Sequence, residues 1–196
     1  MPRIGLNKQM VVAAAIEMIE TDGYDNFSMR GLAEKLNIKT ASLYNHVESM
    51  DEIMAEVGRY AVATLNQEQF SAIARLEKDS AVLALAIAYR NFAKARPELY
   101  KVVMSLHKRQ NAEVEETAKP ITAPFMQVFS GYPLSEEQKM HWQRVLRSII
   151  HGFLSQEEAG YFCHYPINEC DSYYLAIRCF IDGLNAAIFK GGTQDA

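Results

Sequence analysis

The chain has little cysteine, glycine and proline, and each shortage excludes a class of protein. Its 196 residues include three cysteines, Cys163, Cys170 and Cys179. An odd number without CxxC spacing predicts neither a disulfide framework nor a common zinc site. Ten glycines and six prolines are few for the turn-rich chain of an all-β protein. The longest apolar runs, such as residues 81–89, are far too short to cross a bilayer. We therefore expect no bound metal, no other cofactor and no membrane span.

Positive charge is scarce as well. The net charge is −4 at pH 7, and within residues 1–60 six Lys and Arg stand against nine Asp and Glu. Bulk charge alone cannot hold such a chain on a nucleic acid, so any DNA contact has to come from locally arranged side chains. The first ten residues, MPRIGLNKQM, lack the apolar run of a secretory signal, which predicts a cytoplasmic protein.

Apolar residues recur at the three- and four-residue spacing of α-helices along most of the chain. Residues 142–154, for example, keep this spacing for three turns. The apolar stripe predicted for the first helix consists of Val12, Ala15, Ile16 and Ile19. We predict an all-α protein of about nine helices, with a small N-terminal domain of residues 1–60 followed by a larger helical domain of residues 61–196.

Residues 27–51 have the dimensions of a helix-turn-helix: a helix, a three-residue turn and a short second helix. Ser28 is a good N-cap for the first helix. Asn37 sits where such a turn commonly requires a left-handed residue, a conformation that Asn tolerates. The second helix would expose side chains that can donate hydrogen bonds to phosphates and base edges. Those side chains are Lys39, Thr40, Ser42, Tyr44, Asn45 and His46.

The segment 33–53, AEKLNIKTASLYNHVESMDEI, resembles the DNA-binding signature of the tetracycline-repressor (TetR) family of bacterial transcription regulators. The likeness extends over residues 7–60, and the run LYNHV at residues 43–47 is its most specific part. The resemblance implies that one set of side chains touches the DNA operator. That set is Ser28, Lys39, Thr40, Ser42, Tyr44 and His46.

Two positions depart from the family pattern. Asn37 replaces the common Gly, and Met50 stands where a Lys that contacts a phosphate is usual. A second interpretation of the motif stays open, in which Tyr44 and His46 pack beneath the second helix of an ordinary bundle.

The resemblance also implies a dimer, in which the last two helices of each subunit form a four-helix interface. Both predicted helices are apolar on more than one face, so that one face can line the subunit core and another the partner. Small Gly152 and Gly183 would permit close helix approach. The predicted interface consists of Ile149, Gly152, Phe153, Phe180, Leu184 and Ala187. The segment 141–153, HWQRVLRSIIHGF, resembles a Trp-His-Gly segment found in one C-terminal subgroup of the family.

Large, adaptable side chains are frequent in the C-terminal part, and we interpret several as an effector pocket for an apolar or amphipathic small molecule. They are Tyr100, Met104, His107, Phe125, Phe129, Trp142 and His151. Pro120 and Pro124 would break a helix beside that pocket. The alternative is that most of these side chains are ordinary core packing.

No nucleophile elbow, phosphate-binding glycine loop or HExxH motif occurs, so we expect no enzyme. The sequence predicts a ligand-responsive transcriptional regulator, a repressor, that binds a palindromic double-stranded DNA operator as a homodimer and is released by a small molecule. A helical ligand-binding or adaptor protein that no longer binds DNA specifically is the alternative, favoured by Met50 and by the acidic N-terminal third.

Overall fold

The computed structural model describes residues 5–106, 116–164 and 166–191. Over these residues the chain is helical without β-strands, which confirms the all-α prediction. Nine α-helices lie wholly within them: α1 (Lys8–Asp22), α2 (Met29–Lys35), α3 (Thr40–Leu43), α4 (Met50–Ile73), α5 (Lys78–Ala95), α6 (Pro97–Ser105), α7 (Ala123–Phe129), α8 (Glu136–Glu158) and α9 (Glu169–Gly191). Short 3-10 segments occupy Tyr24–Asn26 and Lys119–Thr122. None of the helices in the described part of the chain has the length and apolarity needed to cross a membrane.

Local chemistry fixes where several helices begin. The Ser28 hydroxyl accepts a hydrogen bond from the Gly31 N–H (3.1 Å) at the start of α2. Ser135 and Gln138 form a reciprocal capping box at the start of α8, each side chain accepting from the other's N–H. Pro97 opens α6, where its missing N–H has no helical partner to lose.

The chain divides into two compact units that are not consecutive stretches of sequence. The first combines Met1–Leu65 with Lys94–Pro120, and the second combines Asn66–Ala93 with Ile121–Ala196. Helices α4 and α5 each contribute residues to both units. The predicted boundary at residue 60 separates a DNA-binding domain from an effector-binding domain. It is a boundary between functions, and it stays a prediction.

The core of the first unit is built on α1, which packs against α2 and α6. The apolar stripe predicted for α1 is rotated from the observed one. Val11 and Met18 are buried, whereas Val12 and Ile16 are only half-buried. The cause lies in the partner helix: a Cβ at Gly31 of α2 would stand 2.5 Å from the Met18 methyl group, so the close approach of α2 selects the Met18 side of α1.

The second unit packs α8 against both α7 and α9. Side-chain hydrogen bonds tie aromatic residues of this unit to α5. The Tyr173 hydroxyl donates to the Ala86 carbonyl (2.7 Å). Asp79 accepts from the Tyr132 hydroxyl (2.7 Å) and from the Asn185 amide (2.9 Å). Burial, reinforced by the Asp79 hydrogen bond, raises the pKa of Tyr132, which therefore stays protonated as a donor.

One ion pair lies almost out of solvent in this unit. Arg90 of α5 donates two hydrogen bonds to the Glu157 carboxylate of α8, and the two side chains are only 9% and 12% exposed. Arg90 also donates to the Cys170 sulfur (3.2 Å) and stands 5.3 Å above the Tyr173 ring. Removing one partner of such a pair leaves a buried charge without compensation.

We predict that Glu157→Ala lowers the free energy of unfolding by about 3 kcal/mol, since it strands the Arg90 guanidinium in the core. Glu34→Ala is the matched control, because its pair with Arg30 is 65% and 86% exposed and such exposed pairs contribute little. Urea unfolding at one fixed protein concentration measures both. Equal losses in the two variants would contradict the account.

Candidate nucleic-acid interface and effector region

The turn between α2 and α3 is a Schellman motif with Asn37 as its left-handed residue. Asn37 has a φ of 54°. Its N–H donates to the Glu34 carbonyl, and the Ile38 N–H donates to the Ala33 carbonyl, both at 3.0 Å. These are the two bonds that define the motif. The left-handed residue predicted from the sequence is confirmed, and this turn sets the direction in which the chain enters α3.

Packing, rather than helix propensity, has to hold α3 in place, because four residues are too few for a helix that is stable alone. Leu43 is fully buried and Val47 nearly so. The His46 and Val47 N–H groups both donate to the Leu43 carbonyl (2.8 and 3.1 Å). Leu32 and Ala33 are buried on α2, which packs directly on α3. One face of α3 is thus fixed inside the unit.

The opposite face carries the predicted DNA contacts. Lys39 occupies the N-cap position of α3, and Lys39, Tyr44 and Asn45 are exposed. Tyr44 is 53% exposed, which contradicts the interpretation in which it packs beneath the second helix. The half-buried members of the predicted set are Thr40, Ser42 and His46. Ser28 is exposed at the start of α2.

A charged network joins the start of α1 to the start of α4. The Lys8 ammonium lies 2.6 Å from Glu52 and 2.8 Å from Glu56, and Arg59 also pairs with Glu56 (2.7 Å). The Lys8 hydrogen bond lowers the pKa of Glu52, and bonds from Arg59 and Lys8 lower that of Glu56. Both carboxylates therefore stabilise the unit at neutral pH, and this contribution is lost as the pH falls through the depressed pKa values.

Three more ion pairs place a cation beside other acidic side chains of the N-terminal part. They are Lys35–Glu17, Arg96–Glu20 and Arg30–Glu34. Lys39 differs, since it forms no ion pair with any residue in the described ranges. Its charge is available to an external phosphate.

Family models match the chain in two parts. Residues 11–57 match bacterial regulatory proteins of the tetR family, and residues 82–180 match the tetracyclin repressor-like C-terminal domain. The HTH-type transcriptional regulator YobS of Bacillus subtilis (strain 168) is 32% identical over 186 residues, which cover 93% of this chain and 95% of YobS. The chain belongs to the TetR family. TetR-family proteins are transcriptional regulators, so this chain is a transcriptional regulator and not an enzyme, as predicted.

Solved structures share the TetR-family fold. A protein from Rhodococcus sp. RHA1 matches with a TM-score of 0.77 and 19% identity, over 92% of this chain and 96% of that one. A TetR variant from Acinetobacter baumannii AYE in complex with minocycline matches with a TM-score of 0.65 and 17% identity, over 93% of this chain and 98% of that one. The likeness of residues 141–153 to a Trp-His-Gly segment stays a prediction.

The predicted effector residues of the second unit fall into two aromatic groups. Phe129 and Trp142 both contact Phe180, with ring centroids 6.3 and 5.5 Å from it. Tyr89 contacts the other two predicted residues, Phe125 and His151. Its ring lies 6.1 Å from that of Phe125, and its hydroxyl lies 3.3 Å from His151 Nε2. Phe125 and Phe129 are fully buried, whereas Trp142 and His151 are half-buried.

The remaining predicted effector residues lie elsewhere in the chain. Tyr100, which is buried, and Met104, which is exposed, belong to α6 in the first unit. His107 lies outside the described residues.

The predicted dimer residues differ in burial. Phe180 and Leu184 are buried inside the second unit, and Ile149 and Phe153 are half-buried. Gly152 and Ala187 are exposed. A Cβ placed on Gly152 or on Gly183 would meet no atom within 4 Å. Sequence reasoning did not select the large exposed apolar side chains of α9, which include Leu175 and Phe189.

Sequence reasoning also missed buried polar side chains in the second unit. Gln69 of α4 and Gln143 of α8 are buried. Within the described part of the chain, both amide atoms of Gln69 and Oε1 of Gln143 lack a hydrogen-bond partner. The Nε of half-buried Arg147 is in the same state. The available signal was a polar residue at a core-facing position, because Gln143 precedes buried Leu146 by three residues.

We predict that Asn37→Gly leaves stability nearly unchanged, whereas Asn37→Val lowers it by about 1–3 kcal/mol, because a β-branched residue is strained at positive φ. The Asn37 side chain is exposed, so no packing is lost in either variant. Ala41→Val, at an exposed helical position of α3, is the control for β-branching alone. Thermal unfolding distinguishes them, and a loss no larger than that of the control would contradict the role of the turn.

Proposed function

We propose that this TetR-family regulator is a repressor that binds an inverted-repeat operator as a homodimer and leaves it when a small molecule binds. One observation carries the DNA-binding part of the proposal. Helix α3 is anchored by buried Leu43, while Lys39 at its N-cap and Tyr44 and Asn45 directly after it are exposed. Exposed polar side chains on a rigidly held short helix suit the major groove.

The chemistry of each side chain suggests its role. Lys39 and the Tyr44 hydroxyl suit phosphates, whereas Thr40 and Asn45 suit base edges. The Ser28 hydroxyl accepts from the Gly31 N–H, which leaves its own proton to donate to a phosphate. Ser42 and His46 complete the proposed contact set.

The adaptor alternative rested on the acidic N-terminal third and on Met50. The ion pairs of Lys8 and Lys35 leave the net charge of this third unchanged, but they place a cation beside three of its carboxylates. Lys39, in contrast, forms no ion pair within the described ranges. Met50 remains: it is exposed at the first position of α4 and, being apolar, cannot pair with a phosphate.

We predict that Met50→Lys strengthens DNA binding several-fold and steepens the salt dependence of log K by about 0.9 for each added phosphate contact. Met140→Lys, which adds the same charge at an exposed Met of α8, should change neither. Titration of a duplex with a randomised central segment, at several salt concentrations, measures both variants. Identical behaviour of the two lysines would show that α4 does not begin beside the DNA backbone.

We propose that the exposed faces of α8 and α9 form the dimer interface. The open space over Gly152 and Gly183 would admit a close helix from the partner. On α9, exposed Leu175, Ala186 and Phe189 fall at helical spacing, and Phe189 is 78% exposed. Such apolar exposure is typical of an obligate interface. Buried Phe180 and Leu184 would support the interface from beneath, with Ile149, Phe153 and Ala187 at its edges. To enter successive major grooves, such a dimer has to space its two α3 helices about 34–36 Å apart, one DNA turn.

We predict that Gly152→Glu converts the dimer to a monomer, because it places a charge in the proposed helix crossing. The variant should still fold, since a Cβ at Gly152 meets no atom of its own subunit. Gln67→Glu on an exposed position of α4 adds the same charge as a control. Sedimentation velocity with circular dichroism tests this; a Gly152→Glu protein that remains dimeric would move the interface elsewhere.

The effector part of the proposal concerns an apolar or amphipathic small molecule in the second unit. Half-buried Trp142 contacts Phe180, and half-buried His151 contacts Tyr89. Phe180 also contacts Phe129, and Tyr89 also contacts Phe125. Such aromatic surroundings suit a mostly apolar ligand with few polar groups. A relative's structure holds minocycline, a precedent for small-molecule binding on this fold. Tyr100 and Met104 belong to the first unit, so they stay predictions from the sequence alone, as does His107. The ligand releases DNA only if it binds the non-DNA conformation more tightly, by about 1–3 kcal/mol in typical coupled systems.

A further inference from the structure

Helix α8 carries three polar side chains at four-residue spacing, Gln143, Arg147 and His151. Residues four apart lie on one side of an α-helix, one above the other. We call this row the polar face of α8. Its first member, Gln143, is 3% exposed, and its last, His151, lies 3.3 Å from the Tyr89 hydroxyl of α5. The row therefore begins inside the second unit and continues along a helix that borders α5.

The first two members of the polar face have unused hydrogen-bonding atoms. Gln143 Oε1 and Arg147 Nε are both inaccessible to solvent and have no hydrogen-bond partner among the residues that the structure describes. Arg147 also forms no ion pair within the described ranges of the chain. Burying such groups without partners is costly. The cost is out of keeping with a purely structural role, because Arg90 in the same unit is paired with Glu157.

The proposed dimer interface does not supply the missing partner. Gly152 lies five residues after Arg147, which places it about 140° around the helix at 3.6 residues per turn. The exposed positions Val145, Ser148 and Gly152 share one stripe, whereas Arg147 lies nearer the buried side that holds Ile150. A ligand that pairs with half-buried Arg147 would therefore approach from outside that stripe.

We propose that Arg147 and Gln143 bind the carboxylate of a singly charged, amphipathic effector. The guanidinium fork matches the two carboxylate oxygens, and the Gln143 amide can rotate to present its NH2 group as a further donor. Arg147 is the one arginine or lysine of the polar face, which suits one carboxylate rather than a polyanion. This inference rests on the proposed effector response and names its chemical class.

Trp142 is the only tryptophan of the chain, so its fluorescence reports binding without a label. The probes are decanoate, dodecanoate and phenylbutyrate, each compared with the alcohol of the same skeleton. At least one carboxylate should bind about tenfold or more tightly than its alcohol, the preference typical of a charge-assisted hydrogen-bonded pair. Equal affinities, or no binding by any carboxylate, would overturn the proposal.

Variants of α8 identify the group responsible. Arg147→Gln should abolish the preference for carboxylates, Arg147→Lys should retain part of it, and Arg144→Gln, at an exposed position of the same helix, should leave it intact. Gln143→Leu should weaken carboxylate binding and yet raise the melting temperature, because it removes a buried amide oxygen without a partner. A residue that served only the fold would not give these opposite changes. Full carboxylate affinity in Arg147→Gln would overturn the proposal.

Two further measurements separate this inference from the proposed function. Arg147→Gln should remain dimeric in sedimentation, and its loss of dimerisation would instead assign Arg147 to a carboxylate of the partner copy and overturn the inference. Carboxylate selectivity that depends on Arg147 in a protein that binds no DNA from a randomised duplex pool would support the inference while refuting the repressor function.

Discussion

The burial of Leu43 against α2 is the contact on which the proposed DNA recognition depends. Helix α3 has four regular residues, far below the length at which a helix is stable in water. Its orientation therefore comes from outside itself: from the apolar contact beneath it and from the Asn37 turn before it. Because the inner face is fixed, the outer face presents Lys39 and Tyr44 in one arrangement rather than an ensemble. That preorganisation lowers the entropic cost of binding a groove.

Charge pairing explains how a domain with more acids than bases can belong to a DNA-binding family. Glu52 and Glu56 form ion pairs with Lys8 and Arg59. These carboxylates therefore interact within the unit, and the ion pairs contribute to its stability. Lys39 forms no such pair within the described ranges. The net charge of −4 is therefore a poor guide to the field at α3, where a few neighbouring side chains outweigh distant ones under physiological screening.

The sequence is informative where one local rule decides the outcome. Helical periodicity predicted the all-α fold, and the turn chemistry of Asn37 predicted its positive φ. The sequence is not informative where the burial of a residue depends on a neighbouring helix. The rotation of α1 depends on the missing Cβ of Gly31, which no pattern within α1 can reveal. Periodicity places Phe180 and Phe189, nine residues apart, on opposite faces of α9, but it cannot tell which of two apolar faces is buried.

The salt dependence of operator binding tests the central claim most directly. An operator selected from a randomised duplex pool would be titrated with wild-type protein, Lys39→Gln and, as a control, Lys139→Gln on α8. The account predicts that Lys39→Gln reduces the slope of log K against log salt by about two, since each subunit of the dimer loses one phosphate contact worth roughly 0.9. The control should keep the wild-type slope. An unchanged slope in Lys39→Gln would mean that α3 does not face the DNA.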